Sequence, residues 1–241
     1  DPVRDGLNWY TYCANNPVNY VDLSGLYPTE IEAAEMAEAV YLSELENFSI
    51  NDWDFFEKLD SESGVVIGVF RKEIGDGLYE YSLVNKGSST AGDWLNNIQQ
   101  PFGLSSDMKE SITLSKQFVK DHSGAEITMI GHSKGGAEAV ANAIANNMNC
   151  MVFNPATTAL SAYGLSSSDY TANMTVYIVE GEILHSLFGP VSTAIDKLVY
   201  LPQQHSISHF KSWNLMDAIN ASIKNHSMSS VISALREKGY K

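Results

Sequence analysis

Basic residues are scarce in this 241-residue sequence: 15 Lys and Arg stand against 29 Asp and Glu, a formal charge of −14. Binding a phosphate backbone takes clustered Lys and Arg, so this balance argues against a nucleic-acid ligand. Cysteine is nearly absent. Cys13 and Cys150 cannot build a disulfide framework, and their spacing matches no metal site. Cys150 opens the apolar run CMVF and reads as a small core residue, which leaves the redox compartment undetermined. Long apolar runs are missing too. The longest, such as GVVIGVF at 64–70, are strand-sized and far short of a membrane span. No charged-then-apolar leader opens the sequence, so export would need another carrier. No internal repeat and no low-complexity tract interrupts it.

What remains is the composition of one α/β domain with a well-buried core, 44% hydrophobic. The negative charge is local. Between Tyr27 and Glu62 eleven acidic residues face the single Lys58, about ten of the fourteen surplus charges. A solvated helix face accounts for this simply; a docking surface for a basic partner is the alternative.

The first 26 residues, DPVRDGLNWYTYCANNPVNYVDLSGL, differ from the rest. They are rich in Asn, Pro, Gly and Tyr, lack a helical period and carry turn signals at Asp1-Pro2, Asn16-Pro17 and Ser24-Gly25. This stretch resembles the C-terminal boundary of the Rhs repeat-associated core, whose pattern runs DP, then GLNxYxYxxNNPxNYxDPxGL. In that family a β-cage encloses a variable toxin, and two aspartates cut the chain after the final Leu. The resemblance implies that Asp1 and Asp22 are those aspartates and Leu26 the cleavage position; Leu23 departs from the usual Pro. It divides the chain into a boundary segment, 1–26, and a released domain, 27–241.

From residue 27 onward helices and strands alternate. Thr29 with Glu32 forms a capping box, followed by Ala33, Met36, Ala37, Val40 and Tyr41 at helical spacing. Residues 64–71 and 78–84 are β-rich runs around Asp76-Gly77, a hairpin pattern. A helix is expected from about Ser106 to His122, a strand at 126–130, a helix from Lys134 to Asn147, strands at 150–154, 175–180 and 198–201, and two closing helices near 213–223 and 227–238. Such alternation predicts an α/β fold with a mostly parallel sheet flanked by helices.

The sharpest chemical signal is GHSKGG at 131–136. A bare G-x-S-x-G is weak, but here a strand, EITMI, feeds it and a helix, AEAVANAIANN, leaves it without a gap. A nucleophile elbow needs that order, because only a strained strand-to-helix turn lifts the serine hydroxyl clear of the sheet. Gly131 and Gly135 remove side chains that would collide across the turn, and Gly136 lets the helix lie close to the strand. The helix start also offers the Lys134 N–H to a developing oxyanion. Ser133 then needs a histidine base oriented by a carboxylate, in the chain order serine, acid, histidine. His122 and His132 precede the serine and are set aside, His132 as the variable position of the motif. His185, His205, His209 and His226 remain.

Residues 27–241 resemble the class 3-like serine lipases, in particular a bacterial branch found as phage or polymorphic-toxin cargo. The landmarks are YSLVNKGSSTAGDWLNNIQQ at 81–100, GHSKGG, NMTVYIVEGE at 173–182 and NHSMSSVISAL at 225–235, all in the family's order. The resemblance implies an α/β-hydrolase fold. It assigns Ser133 as nucleophile, Glu182 as the acid in place of the family's aspartate, and His226, ahead of the final helix, as the base. Ser88 and Lys134 become the oxyanion donors, although NKGS replaces the family's FRGT. Glu180, two residues before Glu182, is the runner-up acid. Asp93, Trp94 and Asn97 match DWxxN, as frame of a cleft or as core and turn residues. HSISH at 205–209 has the spacing of two helical metal ligands, but Pro202 and the absent glutamate base argue for loop histidines; no metal or cofactor is expected.

A Ser-His-Glu site performs acyl transfer. Nothing in the residues dictates ester over amide or thioester, so a lipid or phospholipid ester follows from the resemblance alone. Leu187 and Phe188 either line an acyl groove or pack in the core. The acidic surface disfavours docking on anionic lipid, so membrane contact is expected to be peripheral. The expected function is a serine hydrolase toxin cleaving lipid esters, delivered into a target cell as part of a larger Rhs protein. Its expected partners are the Rhs cage and an immunity protein. The alternatives are an esterase or peptidase on a soluble substrate, and a catalytically silent binding module.

Overall fold

The computed structural model describes residues 28–75, 77–87, 106–157, 159–183, 197–206 and 215–241. Outside them lie the boundary segment with Asp1, Cys13, Asp22 and Leu26, and also Ser88, Asp93, Trp94, Asn97, His185, Leu187, Phe188 and His209.

Helix α1 (Glu30–Ala39) starts on the expected capping box: Glu32 N–H donates to the Thr29 hydroxyl at 3.3 Å, and Thr29 N–H to Glu32 Oε2 at 3.0 Å. Four strands follow, β1 (Ser49–Ile50), β2 (Trp53–Asp60), β3 (Val66–Gly75) and β4 (Leu78–Asn85), paired antiparallel in sequence order. Then α2 (Ser106–Asp121), β5 (Ile127–His132), α3 (Ser133–Asn146), β6 (Asn149–Phe153), β7 (Met174–Val179) and β8 (Lys197–Leu201) extend the sheet with parallel pairings from β4 to β8. Helices α4 (Leu215–His226) and α5 (Met228–Glu237) close the chain. Among the described residues the sheet has eight strands in the order β1 to β8, so each new strand is added on the same side.

That topology decides where the helices go. Crossovers of one hand, always stepping the same way, put their helices on the same face of the sheet. Accordingly α2 and α3 cover one face, where Phe118, Ala139 and Ala143 meet Leu83, Met129, Val152 and Val176. The other face is covered by the outer helices α1 and α5, with Met36, Ala37, Val231 and Leu235 against Phe70, Ile130, Phe153 and Tyr177. The alternation of Met129 and Ile130 between the two clusters is the period of two that a strand buried on both faces requires. A smaller apolar cluster, with Met108 and Ile112 from α2, Ala137 and Ala141 from α3, and Ile183, lies beside the face that α2 and α3 cover. Cys150 belongs to this side of the core, and burial pushes its thiol pKa up.

The acidic segment is the main departure from expectation. It is not one solvated helix face, because residues 53–60 form strand β2. Asp54, Lys58 and Asp60 point to solvent while Trp53 is buried, and the pairing with β3 shifts register at a bulge between Phe55 and Glu57. Several of the carboxylates are engaged. Glu32 also accepts from Asn51 at 2.8 Å, Glu30 accepts from the Tyr177 hydroxyl at 3.3 Å, and Glu35 pairs with Arg236 of α5.

Candidate active site

The carboxyl ends of β4 to β7 lie along one edge of the parallel sheet, where α/β folds present their reactive side chains. Strand β5 leads there into Ser133, the first residue of α3, which has a φ of +57°. A non-glycine residue in that region pays for its strain, and a strand-to-helix elbow is where such strain is found. The turn is possible only because backbone lies against backbone. A Cβ on Gly131 would come 2.2 Å from the Gly135 carbonyl oxygen, and one on Gly135 would come 2.2 Å from that of Asn85. A Cβ on Gly136 would meet Pro155 at 2.8 Å. Ala156 N–H, beyond β6, donates to the Ser133 carbonyl at 2.9 Å and fixes the elbow to the neighbouring strand end. The Ser133 side chain is buried, and among the described residues nothing hydrogen-bonds to its Oγ.

Glu182 and His226, 44 residues apart, are brought together: Nδ1 of His226 lies 2.8 Å from Oε2 of Glu182. Both are buried, and Glu182 is fully so. Glu180 is exposed. It does not share the direction of Glu182 because the chain is not extended there. Gly181 adopts φ +75° and Glu182 N–H donates back to the Val179 carbonyl at 3.1 Å, a tight turn that sends the two carboxylates apart. His226 is the last residue of α4, and Ser227 caps α5 by accepting from Ser230 N–H. The base position therefore sits at a junction of two helices, not simply ahead of the last one.

Three side chains that the sequence did not single out hold this junction. Asn154, at the end of β6 with φ +42°, donates to the carbonyls of Asn225 and His226 at 3.3 and 3.2 Å and accepts from Val179 N–H at 2.9 Å. Buried Asn225 accepts from the backbone N–H groups of Gln204 and His205 and donates to the His205 carbonyl. His132 places Nε2 2.7 Å from the His226 carbonyl, and the two imidazole centroids are 4.8 Å apart. Since His132 is the residue before Ser133, the nucleophile and base positions are neighbours. No sequence pattern marks Asn154; Asn225 is the first residue of the NHSMSSVISAL landmark, and His132 is the variable position of the GHSKGG motif.

Lys134, the second residue of α3, turns its side chain away into a polar cluster. Its Nζ is 2.6 Å from Asp107 and 3.6 Å from Glu138. Burial works against the ammonium, but these partners outweigh it and raise its pKa. Burial pushes the Glu138 carboxyl up to about 7, opposed by Lys134 and by a hydrogen bond from Asn85. The backbone N–H groups of the first helical turn have no intrahelical partner, so this end of α3 suits an anion. Gly87, next to the expected oxyanion residue Ser88, donates its N–H to the Tyr41 hydroxyl at 3.0 Å. His205 is exposed on the loop after β8, its backbone held by Asn225.

The profile of the Tle-like phospholipase domain matches residues 24–227 of this chain. No curated protein sequence matches it. Among solved structures, the Rhizomucor miehei lipase in its propeptide complex aligns with a TM-score of 0.49 at 15% identity, over 65% of this chain and 61% of the other. The triacylglycerol lipase of Penicillium expansum aligns with a TM-score of 0.46 at 14% identity, over 71% and 77%. M37 lipase aligns with a TM-score of 0.46 at 13% identity, over 84% and 83%. The chain thus spans about three fifths of the Rhizomucor lipase chain. The profile match, covering most of the chain, shows that the protein belongs to the phospholipase-like family of the Tle-like phospholipase domain.

Proposed function

We propose that this domain hydrolyses the carboxylic esters of phospholipids through an acyl-enzyme on Ser133. The observation that carries the proposal is the pairing of a strained, buried serine hydroxyl, without a hydrogen-bond partner among the described residues, with a neighbouring imidazole whose Nδ1 rests on a buried carboxylate. Native structures rarely leave a buried hydroxyl without a partner, and a reactive role is one of the few explanations. Glu182 accepts from Nδ1–H and so leaves Nε2 of His226 as the proton acceptor. Ser133 Oγ attacks the ester carbonyl carbon as its proton passes to Nε2. The negative charge that forms on the carbonyl oxygen is stabilised by the Lys134 N–H at the start of α3 and by Ser88. Collapse expels the alcohol, which takes the proton from His226. A water molecule then repeats the sequence and releases the fatty acid. Catalytic hydrogen bonds of this kind often tighten only when substrate binds.

The biological setting is part of the same proposal. The Rhs-like pattern in residues 1–26 supports a toxin that is carried in an Rhs cage, released after Leu26 by Asp1 and Asp22, delivered into a target cell and neutralised by an immunity protein. Intact-mass measurement of the caged parent protein is expected to find a new N-terminus at Tyr27; an uncut parent overturns the release step. For the chemistry, the test is turnover of micellar phospholipid and of a short-chain soluble ester by wild-type protein and Ser133→Ala. Phospholipid turnover that the substitution reduces to background is the expected result. Preference for the soluble ester would redirect the substrate class, and full activity of Ser133→Ala would end the acyl-enzyme proposal.

A further inference from the structure

His132 has no task in the chemistry of Ser133, Glu182 and His226, yet its ring stands between their elements. Nε2 approaches the His226 carbonyl to 2.7 Å. A carbonyl only accepts, so Nε2 carries the hydrogen and Nδ1 is left as the acceptor. Facing Nδ1 at 3.4 Å is the Tyr41 hydroxyl, which itself accepts from Gly87 N–H at 3.0 Å. The directions are consistent along the whole path: Gly87 donates to Tyr41, Tyr41 to His132, and His132 to the backbone of His226, whose Nδ1 donates to Glu182. Burial, aided by the nearby His226, pushes the His132 pKa down to about 3, so the ring stays neutral and keeps this pattern.

The carbonyl that His132 grips is at the end of α4, where a helix leaves its last carbonyls without intrahelical partners. Asn154 Nδ2 adds a second donor to the same oxygen at 3.2 Å. The two donors come from the ends of β5 and β6, the rigid edge from which Ser133 also projects.

We propose that His132 is a positioning residue: it ties the backbone of His226 to the elbow that carries Ser133, and through Tyr41 to the Gly87 strand end, so that nucleophile, base and oxyanion strand keep one register. This rests on the acyl-enzyme chemistry proposed above. It acts through His226 and touches neither substrate nor reacting atoms.

The test compares His132→Gln with His132→Asn, using Ser133→Ala as the control. A glutamine amide reaches the position of Nε2 and retains a donor for the carbonyl; an asparagine amide stops at the position of Nδ1. His132→Asn is expected to lower kcat by about tenfold or more with KM within about twofold, and His132→Gln to recover most of that loss. Equal losses in both variants, or no loss in either, overturn the positioning role. Should both variants fail to fold, the ring tautomer in wild-type protein decides, read from 15N shifts of labelled histidine. Nε2–H at His132 supports the role, and Nδ1–H overturns it. Wild-type turnover that does not depend on Ser133 would mean that the acyl-enzyme proposal itself has failed, and this inference with it.

Discussion

At the residue scale, two costs coincide at Ser133. A positive φ in a residue with a Cβ costs about 1–2 kcal/mol, and a buried hydroxyl with no partner, as Ser133 has none among the described residues, about 1–3 kcal/mol. A fold keeps both at one position only where the rest of the structure holds them and function uses them. The position of Ser133 was legible because GHSKGG lies between an apolar strand and a helix. The contact between Glu182 and His226 could not be read from spacing, since 44 residues separate them; only family landmarks joined them. The choice between Glu182 and Glu180 depended on the Gly181 turn, which an extended-chain argument does not contain. Replacing Glu182 by Gln is expected to lower kcat by roughly 10³–10⁴-fold, since the imidazole loses its orienting carboxylate. Glu180→Gln should stay within about twofold of wild type in steady-state kinetics. A deficit shared equally by the two variants would contradict the assignment.

A second residue-scale prediction concerns Glu138. Its carboxyl is held up at about 7 against an ordinary value of 4.5. Between those values the folded chain keeps a proton that the unfolded chain has released, so this group's contribution to stability falls as pH rises from about 4.5 to about 7. His132 acts with the opposite sign. Its pKa is depressed to about 3, so its contribution is complete above about 6.5 and is lost as pH falls toward 3. Glu138→Gln removes only the first effect. Urea unfolding at about pH 5 and about pH 8 should therefore show the variant gaining stability relative to wild type at the higher pH. A difference that does not change with pH would contradict it.

At the element scale, the helices and the parallel strands were legible from periodicity, and the capping box marked the start of α1. Strand β2 was not read, although charged Asp54, Lys58 and Asp60 alternate with inward-facing neighbours. The alternation runs unbroken from Trp53 to Asp60, but the density of carboxylates suggests a helix surface instead. The glycines of the elbow were legible as a motif, but what each one touches was not. Gly135 packs on the last residue of β4, a contact between elements 50 residues apart. Gly135→Ala should destabilise the domain by about 1–3 kcal/mol through that backbone clash. Gly64, with φ +90° and open space around its α-carbon, carries only conformational strain, and Gly64→Ala should cost about 1–2 kcal/mol with activity retained. Thermal unfolding and turnover of the two variants separate them, and equal loss of activity in both would contradict the role of the close approach.

At the scale of the whole molecule, the formal charge of −14 sets how a lipid surface is met. Among the described residues no helix is long and apolar enough to cross a membrane. Anionic headgroups are expected to repel a chain of this net charge over about a Debye length. Hydrolysis of anionic vesicles is expected to accelerate when salt is raised from about 0.01 to 0.15 M, while zwitterionic vesicles respond little. Salt inhibition on anionic vesicles would indicate a basic contact that the charge balance does not predict. The claim on which the rest depends is that Ser133 is an activated nucleophile, and covalent labelling measures this most directly. Folded protein treated with a fluorophosphonate should gain one adduct, mapped by peptide mass to Ser133, with labelling lost on denaturation. Folded protein that stays unlabelled, or that carries its adduct on another residue, would contradict the account.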